Sequence, residues 1–180
     1  METDLNLDLD LPLERGRAHL RAIQESDLPH WLNYLQKDPV LQGVSWRPQA
    51  TQDLAEFVHS TDVHRAGAQV RFAIARMADE TFLGTVGLHS ISIPHRSAEV
   101  AYDLHPDAWG RGIATAACRA VVAWAMAQGL YRLQATVLVG NQASVRVLER
   151  SGFELEGHLR AYRWVEGLAR DALIYSRLNA

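Results

Sequence analysis

The chain has 180 residues and a hydrophobic share of 48%, enough to bury one core without disulfides or metal staples. Its formal net charge of -3 and pI of about 6.2, with no basic arm or lysine-rich run, weigh against a nucleic-acid binder, and the single cysteine, Cys118, excludes a zinc ribbon or a CxxC redox pair. No apolar run approaches the ~18 residues of a membrane span, and the acidic start METDLNLDLDLPLERGR lacks the features of a signal peptide, so a soluble, cytoplasmic protein with no membrane partner is expected.

Residues 1–14 read as an acidic leader, and its LNLDLDL alternation fits either a short strand or a mobile segment. Residues 15–180 read as a single domain. Arg17 to Ile23 alternates with period two, as a strand does. Ser26 and Asp27 stand where a helix N-cap should be, with Pro29 just inside. Leu28, Trp31, Leu32 and Leu35 then recur at helical spacing until Asp38-Pro39 ends the run. A second helix is predicted near Thr51, with Leu54, Ala55, Phe57 and Val58 as its apolar residues.

Three strand-like runs follow: Gln69 to Met77, Phe82 to Ile91 and Ala98 to Leu104, with short turns that argue for antiparallel neighbours. Gly110 and Gly112 open a helix that Gly129 stops. Leu133 to Val139 reads as a buried strand. Asn141 starts a helix that ends at Gly152. Phe153 to Leu159 and Arg170 to Leu178 read as closing strands, with a strand or a turn around Tyr162 to Gly167. The predicted class is therefore α/β (α+β): a mixed, mainly antiparallel, seven-stranded twisted sheet flanked by helices.

The stretch from Ala98 to Thr115 runs from strand through a glycine-bearing loop to a helix start. The first amides of a helix have no intrahelical partner, and with the macrodipole they form an anion site. A diphosphate is the natural guest. A P-loop would need Lys-Ser/Thr after the last glycine, where Ile113-Ala114 stands. A dinucleotide fold would want a glycine or alanine at Thr115 and an acid at the end of the next strand, which here closes in Val139-Gly140-Asn141. Two glycines alone favour a plain tight turn; the motif downstream changes that balance.

The segment from His105 to Thr115, with Trp109-Gly110-Arg111-Gly112 at its centre, resembles the acetyl-CoA pyrophosphate loop of the GNAT acetyltransferases. The run from Asn141 to Gly157, carrying Asn141-Gln142-Ala143-Ser144 and Gly152-Phe153, resembles the second helix and following strand of that family. Leu20 to Asp27 and Arg170 to Ser176 are similar to its start and end, so the resemblance covers nearly all of the chain after the leader. It points to the RimJ/RimL branch, named for acetylating N-termini of ribosomal proteins. It implies the GNAT acyl-CoA N-acyltransferase fold and transfer of acetyl from acetyl-CoA to a primary amine by direct attack in a ternary complex, a protein N-terminus being the leading acceptor. In this reading Trp109 and the amides of Gly110, Arg111, Gly112, Ile113, Ala114 and Thr115 hold the pyrophosphate. Tyr102 and Leu104, at the strand end, pair with the pantetheine arm, and Asn141 and Ser144 line it near the thioester. A homodimer is suggested only by the resemblance.

Two departures stand out. Asp107 replaces a Gln or Arg common at the start of the loop. Leu148 stands where many members carry a tyrosine as general acid, so that role must fall to another group or to water. Glu99 is the candidate base, against the reading of a surface carboxylate paired across the sheet. Ser144 is the candidate to protonate the departing thiolate or to hydrogen-bond the thioester, against a plain third helical position capped by Asn141. Cys118 reads as core, Arg146 and Arg150 as a solvated helix face or as reaching the CoA 3'-phosphate, and Trp31, Tyr34 and Trp46 as core or acceptor-pocket wall. The eight histidines show no HxxxH or HExxH spacing, so no metal is expected. Small-amine acetylation (polyamine, aminoglycoside or amino acid) and a non-catalytic acetyl-CoA-binding regulatory domain remain as alternatives.

Overall fold

Period-two alternation in the chain sorts its apolar residues onto the two faces of one sheet. The computed structural model describes residues 11–12, 17–41, 43–44, 46–58 and 69–179. Its strands are β1 (Leu11–Pro12), β2 (Ala18–Ala22), β3 (Val70–Arg76), β4 (Phe82–Ser92), β5 (Ser97–Leu104), β6 (Arg132–Leu138), β7 (Glu154–Val165) and β8 (Leu168–Leu178). They lie in the order β1-β2-β3-β4-β5-β6-β8-β7. Every neighbouring pair is antiparallel except β5 and β6. β1 is a two-residue bridge on β2, so the other seven form the expected sheet. The rest of the leader, residues 1–10 and 13–14, lies outside the described residues.

The helices are α1 (Leu28–Leu35), α2 (Asp38–Leu41), α3 (Ile113–Ala127) and α4 (Gln142–Arg150). One core lies under α3 and α4, where Leu20, Phe72, Val86, Val100, Val121 and Leu133 meet. The other lies under α1, where Trp31, Tyr34, Leu54, Phe57, Ala73 and Phe82 meet. Phe72 and Ala73 are successive residues of β3 that serve opposite cores, as the pleat requires. Each fully buried large side chain contributes about 1.5–3 kcal/mol.

Both long helices end as the glycines forecast. Leu130 donates to the Ala125 carbonyl and Gly129 to Met126; Phe153 donates to Leu148 and Gly152 to Glu149. These are the paired bonds of the Schellman motif. Leu148 and Phe153 are both buried, which adds the apolar contact that accompanies it. Leu148 is thus a core residue that seals the end of α4 against α3.

Several boundaries differ from the sequence reading. Asp27 does not cap α1 with its side chain; its carboxylate takes bonds from Arg21 at 2.7 and 2.9 Å and from the Gln24 amide at 2.9 Å, and a 3₁₀ turn over Glu25–Asp27 leads in. Pro39 does not end the helical region, because it sits in the first turn of α2, where a missing N–H costs nothing. The Thr51 element is a 3₁₀ helix over Thr51–Phe57. The segment after Leu159 does not stop: β7 runs through to Val165 over an irregularity between Leu159 and Arg163, where Ala161 has φ 49°. Among the described residues no helix is long and apolar enough to cross a membrane.

Leu148 is fully buried. Leu148→Ala should lower the free energy of unfolding by about 2–5 kcal/mol in denaturant titration, as cavity-forming core truncations do.

Candidate active site

β5 is bound on one side only for most of its length. It pairs with β4 from Glu99 to Leu104, but with β6 only from Ser97 to Glu99. β6 continues to Leu138 against β8. The two parallel strands therefore part after Glu99 and leave a wedge beside residues 100–104. Two cavities meet at this wedge. One, of about 400 Å³, lies against the starts of α3 and α4. The other, of about 740 Å³, lies on the face carrying α1. Gly43, Val44, Tyr102, Asp103, Asn141 and Ser144 line both.

The loop before α3 builds the floor of the first cavity. His105 accepts from the Asp107 amide, and Trp109 Nε1 donates to the Leu104 carbonyl at 2.9 Å, which pins the loop to the end of β5. Gly110 and Gly112 have φ of 72° and 77°, the left-handed region that other residues enter only at a cost. No side chain caps α3, and its first backbone bond runs from Ala116 to the Gly112 carbonyl. The amides ahead of Ala116 are thus left without helical partners at a positive helix end. Leu104, Trp109, Gly110, Gly112, Ile113, Ala114 and Thr115 all line this cavity, as do Arg146 and Arg150 from α4. Arg111 does not; it lines a neighbouring cavity with Tyr34, His105 and Asp107.

The start of α4 closes the far wall. Asn141 Oδ1 accepts from the Ser144 amide at 3.1 Å, so Asn141 is the side-chain cap, and its Nδ2 donates to the Gly43 carbonyl at 3.3 Å. Tyr102 donates from its hydroxyl to the Ser144 carbonyl at 3.1 Å, which ties β5 to α4 across the wedge. Burial pushes the Tyr102 hydroxyl pKa far up, so it remains protonated. Ser144 Oγ has no hydrogen-bond partner among the described residues.

In the second cavity Glu99 is 7% exposed, not a surface carboxylate. Its Oε1 accepts from Thr136 Oγ1 at 2.7 Å, with His89 Nε2 and Arg163 Nη2 each 3.9 Å away. Trp46 and Phe57 form part of the wall, whereas Trp31 and Tyr34 are buried in the core behind it. Asp103 is 6% exposed and accepts four bonds: Oδ1 from Trp31 Nε1 at 3.0 Å and from the Tyr34 hydroxyl, and Oδ2 from Arg71 Nη2 at 2.5 Å and Thr85 Oγ1 at 2.8 Å. Burial, then the Asp103 charge, raises the Tyr34 pKa well above that of a free tyrosine.

The sequence reading missed Arg71, Asp103, His89, Thr136 and Arg163. Arg71, His89 and Asp103 occupy polar positions of alternating strands and look solvent-facing there, Thr136 lies in a strand that reads as buried, and Arg163 lies in a stretch that reads as strand or turn. Among the described residues no group of three or more His, Cys, Asp or Glu is placed to hold a metal. Cys118 is buried, and burial pushes its thiol up to about 11.

His89 has its pKa lowered from 6.5, chiefly by burial, with Arg71 and Arg163 adding to the effect and Glu99 opposing it. The folded protein therefore resists a proton that the unfolded chain accepts, and stability is lost as pH falls from 6.5 toward the folded value. Tm measured across this range should fall more steeply for the native chain than for His89→Gln; parallel curves would remove His89 from the acid response.

Comparison with known proteins agrees with this architecture. Residues 17–154 match the acetyltransferase (GNAT) domain family. The uncharacterized N-acetyltransferase YoaA of Bacillus subtilis is 30% identical over 167 residues, which span 91% of this chain and 94% of that one. The structure of ribosomal-protein-S5-alanine acetyltransferase from Vibrio fischeri is similar with a TM-score of 0.80 at 25% identity, covering 94% of this chain and 97% of that one. Spermidine N-acetyltransferase from Vibrio cholerae, solved in complex with CoA and spermine, gives a TM-score of 0.78 at 25% identity and covers 91% and 96%. The chain belongs to the GNAT family of N-acetyltransferases.

Proposed function

We propose that this enzyme transfers acetyl from acetyl-CoA to the α-amine of a protein N-terminus, with the cosubstrate in the cavity under α3 and α4 and the acceptor entering from the cavity on the α1 side. The meeting of those cavities beside the open edge of β5 is the observation that carries the reading. The unclaimed amides at the start of α3 suit a diphosphate, and the exposed Arg146 and Arg150 at the cavity rim suit a further phosphate. The unpaired edge of β5 suits the amides of a pantetheine arm, as an added strand would. The 15–180 domain and a cytoplasmic location belong to the same proposal.

The amine nitrogen attacks the thioester carbonyl carbon; a C–N bond forms and the C–S bond breaks. An α-amine with pKa about 7.7–8.0 needs far less help to shed its proton than a lysine near 10.4. Glu99, in the acceptor cavity, takes that proton directly or through a water. Ser144 Oγ hydrogen-bonds the departing thiolate, which leaves as the CoA thiol by taking the second proton of the attacking nitrogen, relayed through that hydroxyl or a water. Leu148, locked in the core, contributes no acid. Holding both substrates in one cleft supplies much of the acceleration.

The acceptor cavity holds two acids, Glu99 and Asp103, and two guanidinium groups, Arg71 and Arg163. Asp103 is already paired with Arg71. A polyamine carries several ammonium groups and needs several unpaired carboxylates, so this balance favours an acceptor with one amine.

The test is steady-state turnover with acetyl-CoA over a panel of N-terminal peptides, spermidine, an aminoglycoside and free amino acids. Peptides should lead. Glu99→Gln should lower kcat/KM by on the order of 10²–10⁴-fold at neutral pH, with partial recovery at alkaline pH where the amine is already neutral. Near-normal turnover of Glu99→Gln across pH removes the base. Ser144→Ala should lower kcat while leaving acetyl-CoA affinity nearly intact; the reverse pattern would make Ser144 a binding residue.

A further inference from the structure

We propose that Arg71 recognises the acceptor: its Nη1 donates to the carbonyl oxygen of the residue that bears the attacking amine, which directs the site to α-amino carbonyl compounds, the first residue of a peptide foremost. This inference rests on the acetyl-transfer reading above.

Arg71 belongs to β3 and stands in register with Gly87 of β4, which in turn faces Ala101 of β5. The neighbouring row on the same face carries His89 and Glu99. Two strand spacings and one same-face step put the Cα atoms of Arg71 and Glu99 roughly 12 Å apart. Between them the floor is low. Gly87 has no side chain, and a Cβ there would lie 2.0 Å from the Val70 carbonyl oxygen; Ala101 has only a methyl group. Arg71 and Glu99 line the same cavity, with His89 Nε2 and Arg163 Nη2 each 3.9 Å from the carboxylate end, and a short substrate unit would lie between the guanidinium and that end.

The guanidinium is fixed on two sides. Nε donates to Thr85 Oγ1 at 2.9 Å and Nη2 to Asp103 Oδ2 at 2.5 Å. Its Cζ lies 5.6 Å from the Trp31 ring centroid and 5.9 Å from that of Phe57. The Arg71 side chain is only 9% exposed, yet Nη1 has no hydrogen-bond partner among the described residues. It is not sealed in protein either: among those residues the fully enclosed side-chain atoms without a partner are Arg47 Nε and Ser151 Oγ. Arg71 lines the acceptor cavity, so its unspent donor opens there. A charged donor that opens into a cavity takes its acceptor from whatever fills that cavity, water in the free enzyme and a substrate oxygen in the complex. A peptide N-terminus brings its amine and first carbonyl oxygen within one residue, which matches a base and a fixed donor across a bare floor. A polyamine brings no carbonyl and places a second cation near an existing one.

The experiment compares kcat/KM for an alanyl peptide with that for isopropylamine, an amine of similar bulk without the carbonyl, in the native chain, in Arg71→Lys and in the double variant Arg71→Met/Asp103→Asn. The double variant leaves no buried charge unpaired, so it remains informative if Arg71→Met alone fails to fold. The native chain should prefer the peptide. In both variants the ratio of peptide to isopropylamine kcat/KM should drop by roughly 10- to 100-fold, mainly through the peptide KM, as loss of a charged hydrogen bond would give. An equal loss on both acceptors makes Arg71 purely structural and overturns the proposal. A native chain that acetylates both amines without preference also overturns it and leaves acetyl transfer standing. Turnover of neither acceptor, with acetyl-CoA bound, overturns both.

Discussion

The early parting of β5 from β6 is the constraint on which the rest depends. Parallel neighbours normally bond along their whole shared length, but here the ladder ends at Glu99 and Gln134. Backbone groups at a strand edge need partners. On the side of β4 they have them; toward the wedge they face a cavity. On the proposed reading, the cosubstrate supplies the missing strand, and the acetyl group arrives where the cavity of the acceptor begins. Trp109 and Tyr102 fix the end of β5 by tying it to the loop and to α4.

A buried ion pair anchors the same strand from the other face. Asp103 and Arg71 have side chains 3% and 9% exposed, and a pair so placed recovers its desolvation cost only if the surrounding bonds are nearly complete. On Asp103 they are, with Trp31, Tyr34 and Thr85 filling the remaining sites. On Arg71 one nitrogen, Nη1, has no partner among the described residues. On the proposed reading, that leftover donor is what the pair presents to a substrate.

The loop and α4 were legible because their chemistry is local. Glycines at positive φ, an asparagine cap and a glycine stop act within one turn, so the residues stand together in the sequence. Beyond the residues it shares with the first cavity, the wall of the larger cavity was legible only at Trp46 and Glu99. Arg71 in VRFAIAR and Asp103 in AEVAYDL look like outward positions of half-exposed strands. They are buried because α1 covers that face, and Asp103 meets Arg71 across 32 residues of chain. Glu99 was singled out, but its partner Thr136 comes from 37 residues away. The boundaries that shifted have equally physical causes: Asp27 was claimed by Arg21 rather than by a helix end, and β7 bridged its own break through Ala161.

The measurement that tests the central claim most directly is thermal unfolding with saturating acetyl-CoA, against ATP and NADH at equal concentration. A ligand at a hundredfold excess over Kd adds about 2.7 kcal/mol. For a chain of this size that should raise Tm by roughly 5–10 °C. A shift with acetyl-CoA alone is the result this account predicts. No shift with acetyl-CoA in a folded sample, or an equal shift with ATP or NADH, would contradict the assignment of the wedge and of the loop that opens α3.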